Sequence, residues 1–121
     1  MTRLTLHHKF RPYIEACINS GSKDLELRPG YRHIQKIQEG DVVQLGGLDV
    51  VITSKKAFES IEEAVTEQTW QRLIPEPPSD FHGVVPSPFP RTRDDAVRAL
   101  QHVFPNPNDE YYLFGIELPN Q

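Results

Sequence analysis

The chain has 121 residues, 37% of them hydrophobic and 25% charged, which is enough for one cored domain and too little for two. No apolar run approaches the ~20 residues needed to cross a bilayer, and Met1–Thr5 lacks the apolar stretch of a signal peptide, so a cytoplasmic protein is expected. The formal charge of −4 argues against non-specific coating of duplex DNA, which depends on many Lys/Arg–phosphate contacts.

That net charge hides an asymmetry. Residues 1–36 carry seven Lys/Arg against three acids, a balance of +4, while the remaining 85 carry six against fourteen, a balance of −8. A local basic zone of this kind suits one phosphate or a short single strand. The single cysteine, Cys17, has no partner for an intramolecular disulfide and falls on an apolar helical position, as a small buried hydrophobe does.

In chain order, Leu4–His7 alternates and predicts a first strand. Pro12 suits the first turn of a helix, where its missing N–H costs nothing. Tyr13, Ile14, Cys17 and Ile18 then form an apolar stripe of helical period, ended by Asn19-Ser20-Gly21 with Gly21 as a left-handed cap. Directly after this stop comes Gly21-Ser22-Lys23-Asp24-Leu25-Glu26-Leu27-Arg28, closed by the turn pair Pro29-Gly30. In an extended segment Asp24, Glu26 and Arg28 share one face and Leu25 and Leu27 the other, so the leucines are expected in a core and the charges along a cavity or surface. Lys23 lies in the turn before the strand, where parity does not fix its direction.

Tyr31–Gln38 reads as an irregular polar connector. Asp41–Leu45 and Leu48–Ser54 read as two strands joined by a Gly46-Gly47 hairpin turn. Ser60-Ile61-Glu62-Glu63 matches a capping box, opening a helix through Glu67, and Trp70, Leu73 and Ile74 continue an apolar stripe until Pro75. Residues 75–91 hold six of the eleven prolines and predict a long stiff loop. Its Phe81, His82 and Phe89 are candidates for an aromatic flap over the charged face, and a proline-rich ligand for a partner domain is a weaker alternative. Thr92–Asp95 is a second capping pattern, before a stripe of Ala96, Val97, Leu100, Val103 and Phe104. Tyr111–Leu118 reads as the final strand.

Phosphate-binding glycine loops, nucleophile elbows and Cys/His metal spacings are all missing from the sequence, so neither a cofactor nor a metal is expected. His7 and His8 are adjacent, and on a strand they would point to opposite faces and could not share a metal.

The spacing G-x-K-x-x-E-x-R over Gly21–Arg28, with His8–Ala16 upstream and Ile37–Val43 downstream, resembles the signature of the ASCH domain family, whose small β-barrel is related to the PUA fold. The resemblance runs from about His7 to Leu118. It implies one α+β domain over residues 1–121, a small mixed barrel of five or six strands with about three helices. In similar proteins this motif lines a cleft inferred to bind nucleic acid or nucleotides. One branch hydrolyses the acetyl amide of N(4)-acetylcytidine with a lysine, a threonine and a more distant glutamate. The lysine maps onto Lys23, but Glu26 stands where that branch has threonine, and the distant glutamate falls in the region of Glu62, Glu63 and Glu67.

That departure has a physical consequence. A lysine serves as a base near neutral pH only when its ammonium form is destabilised by ~3–4 kcal/mol. An ionised Glu26 beside it acts in the opposite sense. Lys23 is therefore cast as a positive anchor for phosphate or for a carbonyl or oxyanion oxygen. Two readings stand. One is a binding module for RNA or a nucleotide-like small molecule, with Lys23, Arg28 and Arg11 on phosphate, Glu26 on a base edge, and Tyr31 or Phe89 stacking. The other is a small hydrolase of a modified nucleoside or of RNA, with Lys23 and Glu26 catalytic and Glu26 or a helix glutamate activating water. A partner-binding role for the proline-rich loop is held in reserve.

Overall fold

A computed structural model describes residues 1–119. Five strands form one sheet in the order β1-β3-β4-β5-β2. They are β1 (Arg3–Leu4), β2 (Leu25–Pro29), β3 (Val42–Leu45), β4 (Leu48–Phe58) and β5 (Tyr111–Glu117). β1 runs parallel to β3, and every other neighbouring pair is antiparallel. The two elements that flank the first helix in sequence, β1 and β2, therefore lie at opposite edges of the sheet. The α+β class is as expected, but the described strands make an open mixed sheet where a closed barrel was expected. β1 spans only two residues and pairs with β3 alone, so it makes no ladder that could close onto β2.

Among the described residues five helices accompany the sheet: α1 (Arg11–Ser20), α2 (Arg32–Gln35), α3 (Ile61–Ala64), α4 (Trp70–Leu73) and α5 (Arg93–Val103). The count exceeds the expected three for two local reasons. The stretch read as one helix from Ser60 ends at Ala64, and its Trp70 stripe is a separate turn. The connector at 31–38 contains α2, whose Ile34 is buried together with the following Ile37.

The capping signals are borne out. Gly21 closes α1 with φ of 84°, a conformation that costs glycine little. Ser60 accepts from Glu63 N, and Glu63 returns a carboxylate oxygen to Glu59 N. Thr92 accepts from Asp95 N, and Asp95 accepts from Arg91 N.

The sheet separates two apolar clusters. On one face Phe114 and Ile116 of β5 and Val50 and Ile52 of β4 pack against Ile18 of α1 and Ile34 of α2. On the other, Leu25, Leu27 and Tyr111 pack against Ile61, Trp70, Leu73, Ala96 and Val97 of α3, α4 and α5. β4 serves both because its register slips at Thr53, where Ile52 opposes Ile116 and Ser54 opposes Gly115. The extra residue reverses the alternation, so Phe58 joins the second cluster although Val50 and Ile52 belong to the first.

Candidate functional site

The charged motif lies on β2, the edge strand covered by β5 on one side only. Its alternation is as the sequence predicts. Leu25 and Leu27 enter the second cluster, while Glu26 opposes Phe114 and Arg28 opposes Tyr112 on the other face. Asp24 departs from that face. It precedes the strand, and Arg72 of α4 binds both its carboxylate oxygens, at 2.7 and 3.1 Å.

Lys23, whose direction parity left open, turns inward and is only 5% exposed. Its ammonium donates to Leu25 O and to Leu73 O at the end of α4, both at 2.8 Å, and lies 3.4 Å from Glu26 Oε1. Three acceptors thus meet the three hydrogens of the ammonium, with no donor to spare for a ligand. The other carboxylate oxygen, Glu26 Oε2, accepts from Arg28 Nη2 at 3.0 Å. Burial pushes the Glu26 carboxyl up, but the two cations beside it outweigh that and hold it below its usual range. Glu26 is consequently a stable anion bridging Lys23 and Arg28, and a weak base.

Arg28 is the member of the cluster with capacity left. Among the described residues only its Nη2 has a hydrogen-bond partner, and no buried polar side-chain atom is left unsatisfied, so the remaining donors reach open space. That space is a groove of about 420 Å³ along the β2 edge, between α1 on one side and α4 and α5 on the other. Phe10, Tyr13 and Ile14 form one wall and Leu73, Leu100 and Val103 the other. Val103 is 63% exposed at the rim, a large apolar side chain left in water beside a cavity. Among the described residues Lys23, Glu26 and Arg28 are the only Lys, Arg, Asp or Glu side chains in its lining, which also includes His7.

Several expected participants are elsewhere. Arg11 pairs with Glu15 at 2.7 Å beside the Gly46-Gly47 turn and lines a different cavity. Tyr31 is exposed, with its ring centroid 6.1 Å from that of His33, and does not line the groove. Glu62, Glu63 and Glu67 are also absent from its lining: Glu62 faces Gln101, and Glu63 is spent on its own helix cap.

The proline-rich loop does reach the site, though differently from the expected flap. Phe81 and Phe89 meet Tyr13 edge-on, at 6.4 and 6.3 Å between centroids, and Pro86 lines the groove, while His82 is exposed. The Tyr13 hydroxyl donates to Pro75 O at 2.5 Å, fastening α1 to the start of that loop. Burial, first of all, pushes this phenol far above its ordinary value.

His7 and His8 also differ from expectation. The strand ends at Leu4, so the two rings sit in a turn and stack 4.8 Å apart instead of pointing to opposite faces. No group of three or more His, Cys, Asp or Glu that could hold a metal occurs among the described residues. Cys17 is fully buried, as its helical position predicts.

No protein-family model matches the chain, and no curated protein matches it. Its fold does have solved counterparts. The crystal structure of hypothetical protein PH0355 superposes with a TM-score of 0.69 at 18% identity, covering 95% of each chain. The solution structure of protein PF0455 from Pyrococcus furiosus gives a TM-score of 0.66 at 16% identity, over 99% of this chain and 98% of that one. At such identities the likeness shows the fold alone.

Two kinds of groove residue were missed in the sequence. Leu100 and Val103 belong to a stripe that predicts core, Phe10 precedes the stripe of α1 and belongs to none, and only the open edge of β2 turns them into cavity walls. Leu73 O is a backbone acceptor fifty residues from Lys23, and no side-chain pattern announces it.

Proposed function

We propose that this chain is an ASCH-like, PUA-related domain of the cytoplasm that binds a nucleotide-like ligand, free or as an unpaired RNA residue, in the β2-edge groove. One observation carries the reading: Arg28 reaches an apolar groove of about 420 Å³ with donors unused, while Glu26 and Lys23 hold it from behind. Small-molecule sites are typically ~300–1,000 Å³, mostly apolar, with a few fixed polar groups that set orientation. A guanidinium is planar and presents paired donors, matching a base carbonyl and ring-nitrogen edge or a phosphate. Apolar walls on both sides suit the faces of a planar ring.

The roles differ from those the motif first suggests. Arg28 touches the ligand, Glu26 positions Arg28, and Lys23 ties that pair to α4. The hydrolytic alternative gains no support from this arrangement. Lys23 has no free lone pair, Glu26 is a weakened base, and Glu62, Glu63 and Glu67 do not line the groove.

The test is a titration of backbone amide resonances with the four ribonucleoside 5′-monophosphates and a short single-stranded RNA. Shifts should cluster at Phe10, Arg28 and Leu100, and Arg28→Ala should weaken binding about tenfold or more, as loss of a charge-assisted contact does. Binding that ignores Arg28→Ala would refute the reading. Release of cytidine from N(4)-acetylcytidine by the same preparation would replace it with the hydrolase.

A further inference from the structure

The turn His7–Phe10 that leads into α1 gives the groove two of its lining residues, His7 and Phe10. Phe10 N and Arg11 N both donate to His7 O, and Lys9 N donates to His7 Nδ1, so the turn is internally fixed. His7 and Phe10 line the groove, with ring centroids 5.9 Å apart. The Lys9 ammonium stands 5.7 Å from the centre of the Phe10 ring, and no acid pairs with it among the described residues. Among the described residues Glu26 is the one carboxylate lining the groove, and it already bridges two cations. A protein of net charge −4 thus lines this cavity with Arg28 and holds a second cation, the exposed Lys9, beside its His7 and Phe10 lining.

We infer that the ligand of this groove carries a terminal phosphate, seated on the His7–Lys9 turn, while its planar body lies between Phe10 and Leu100 with its polar edge toward Arg28. This rests on the nucleotide-like reading given above and makes it specific: a nucleoside monophosphate, or a nucleotide with a free phosphate end, is favoured over the bare nucleoside. Each cation has its own task. Lys9 supplies a mobile point charge with three donors, the His7 ring adds a hydrogen-bonding nitrogen beside it, and Arg28 supplies the planar fork that recognises a ring edge.

The experiment compares each ribonucleoside with its 5′-monophosphate by calorimetric titration at low and moderate salt. In the wild type the monophosphate should bind about tenfold more tightly than the nucleoside, the worth of one charge-assisted hydrogen bond. Lys9→Ala should bring that ratio close to one, Lys9→Arg should restore most of it, and added salt should narrow it, because the contact is at the surface. His7→Gln should lower the ratio less than Lys9→Ala does. Arg28→Ala should weaken nucleoside and monophosphate alike and leave their ratio standing. Equal affinity for nucleoside and monophosphate in the wild type, or a ratio untouched by Lys9→Ala, would overturn the phosphate seat while leaving the groove a nucleoside site. Failure of the wild type to bind any of the eight compounds would overturn both.

Discussion

Replacing Glu26 by glutamine tests the energetic centre of the molecule. The substitution keeps the shape of the side chain and removes one negative charge from between two cations, one of them only 5% exposed. At separations of 3.4 and 3.0 Å, and an effective dielectric of about 20, each ion pair is worth about 5 kcal/mol before desolvation is counted. Desolvating three charged groups offsets most of that in the wild type. In the variant, the desolvation of Lys23 and Arg28 remains and the attraction does not, so the expected loss is about 3 kcal/mol, the lower end for breaking a buried pair. The glutamine carbonyl can still accept one hydrogen bond, which is why the lower end applies. For a domain of this size that corresponds to a melting point lower by roughly 10–15 °C.

The assay is urea and thermal unfolding of wild type and variant across pH. The Glu26 carboxyl is held below its ordinary value of 4.5 in the folded protein. Its contribution should therefore be complete above that value, begin to erode once the unfolded chain takes up the proton, and vanish as pH falls through the folded value. The stability gap between the two proteins should accordingly be flat near neutrality and close in acid. A variant melting within 2–3 °C of wild type at pH 7, about 1 kcal/mol or less, would refute the reasoning. A gap that stays constant down to the acid limit would do so as well.

Other outcomes follow from the same geometry. Tyr13→Phe removes the buried hydroxyl that donates to Pro75 O and should cost about 1–2 kcal/mol in urea unfolding. In the wild type that phenol should stay protonated through an alkaline absorbance titration until the chain unfolds, since burial raises it and the stability it confers is lost only as pH climbs past the ordinary tyrosine range. Thr92→Ala deletes the cap that accepts from Asp95 N at the start of α5 and should cost about 1 kcal/mol, measured as a shift in the urea midpoint at constant slope.

What could be read in the sequence was local. The stripe of α1, its Gly21 stop, both capping boxes and the alternation of β2 each depend on neighbours a few residues apart, and each is present. The direction of Lys23 is not local, because one of its two carbonyl acceptors, Leu73 O of α4, lies fifty residues away and only the packed chain brings it close. Ile34 and Ile37 were concealed in a segment too polar and too short to display a period. Closure of the sheet is hidden for a related reason. Five strand-like segments are compatible with a barrel or an open sheet, and the choice lies in which edges pair. Arg11 and Tyr31 flank the motif in sequence, but the hairpin at Gly46-Gly47 engages the first and the turn into α2 carries the second away.

The order of the strands bears on how the protein emerges during synthesis. β2 has one hydrogen-bonded neighbour, β5, and Leu25 waits for Gly115 to complete that pairing. Ninety residues of chain must therefore leave the ribosome after Leu25 before the strand can complete its hydrogen-bonded pairing. Throughout that interval Glu26 and Arg28 remain hydrated, and the pocket between α1 and α5 does not exist. Non-local pairing of this kind is slow to form, because a long loop must close before any contact rewards it. A nascent chain halted before Tyr111 should thus display no ligand affinity, and recognition should switch on in one step as β5 is threaded between β4 and β2.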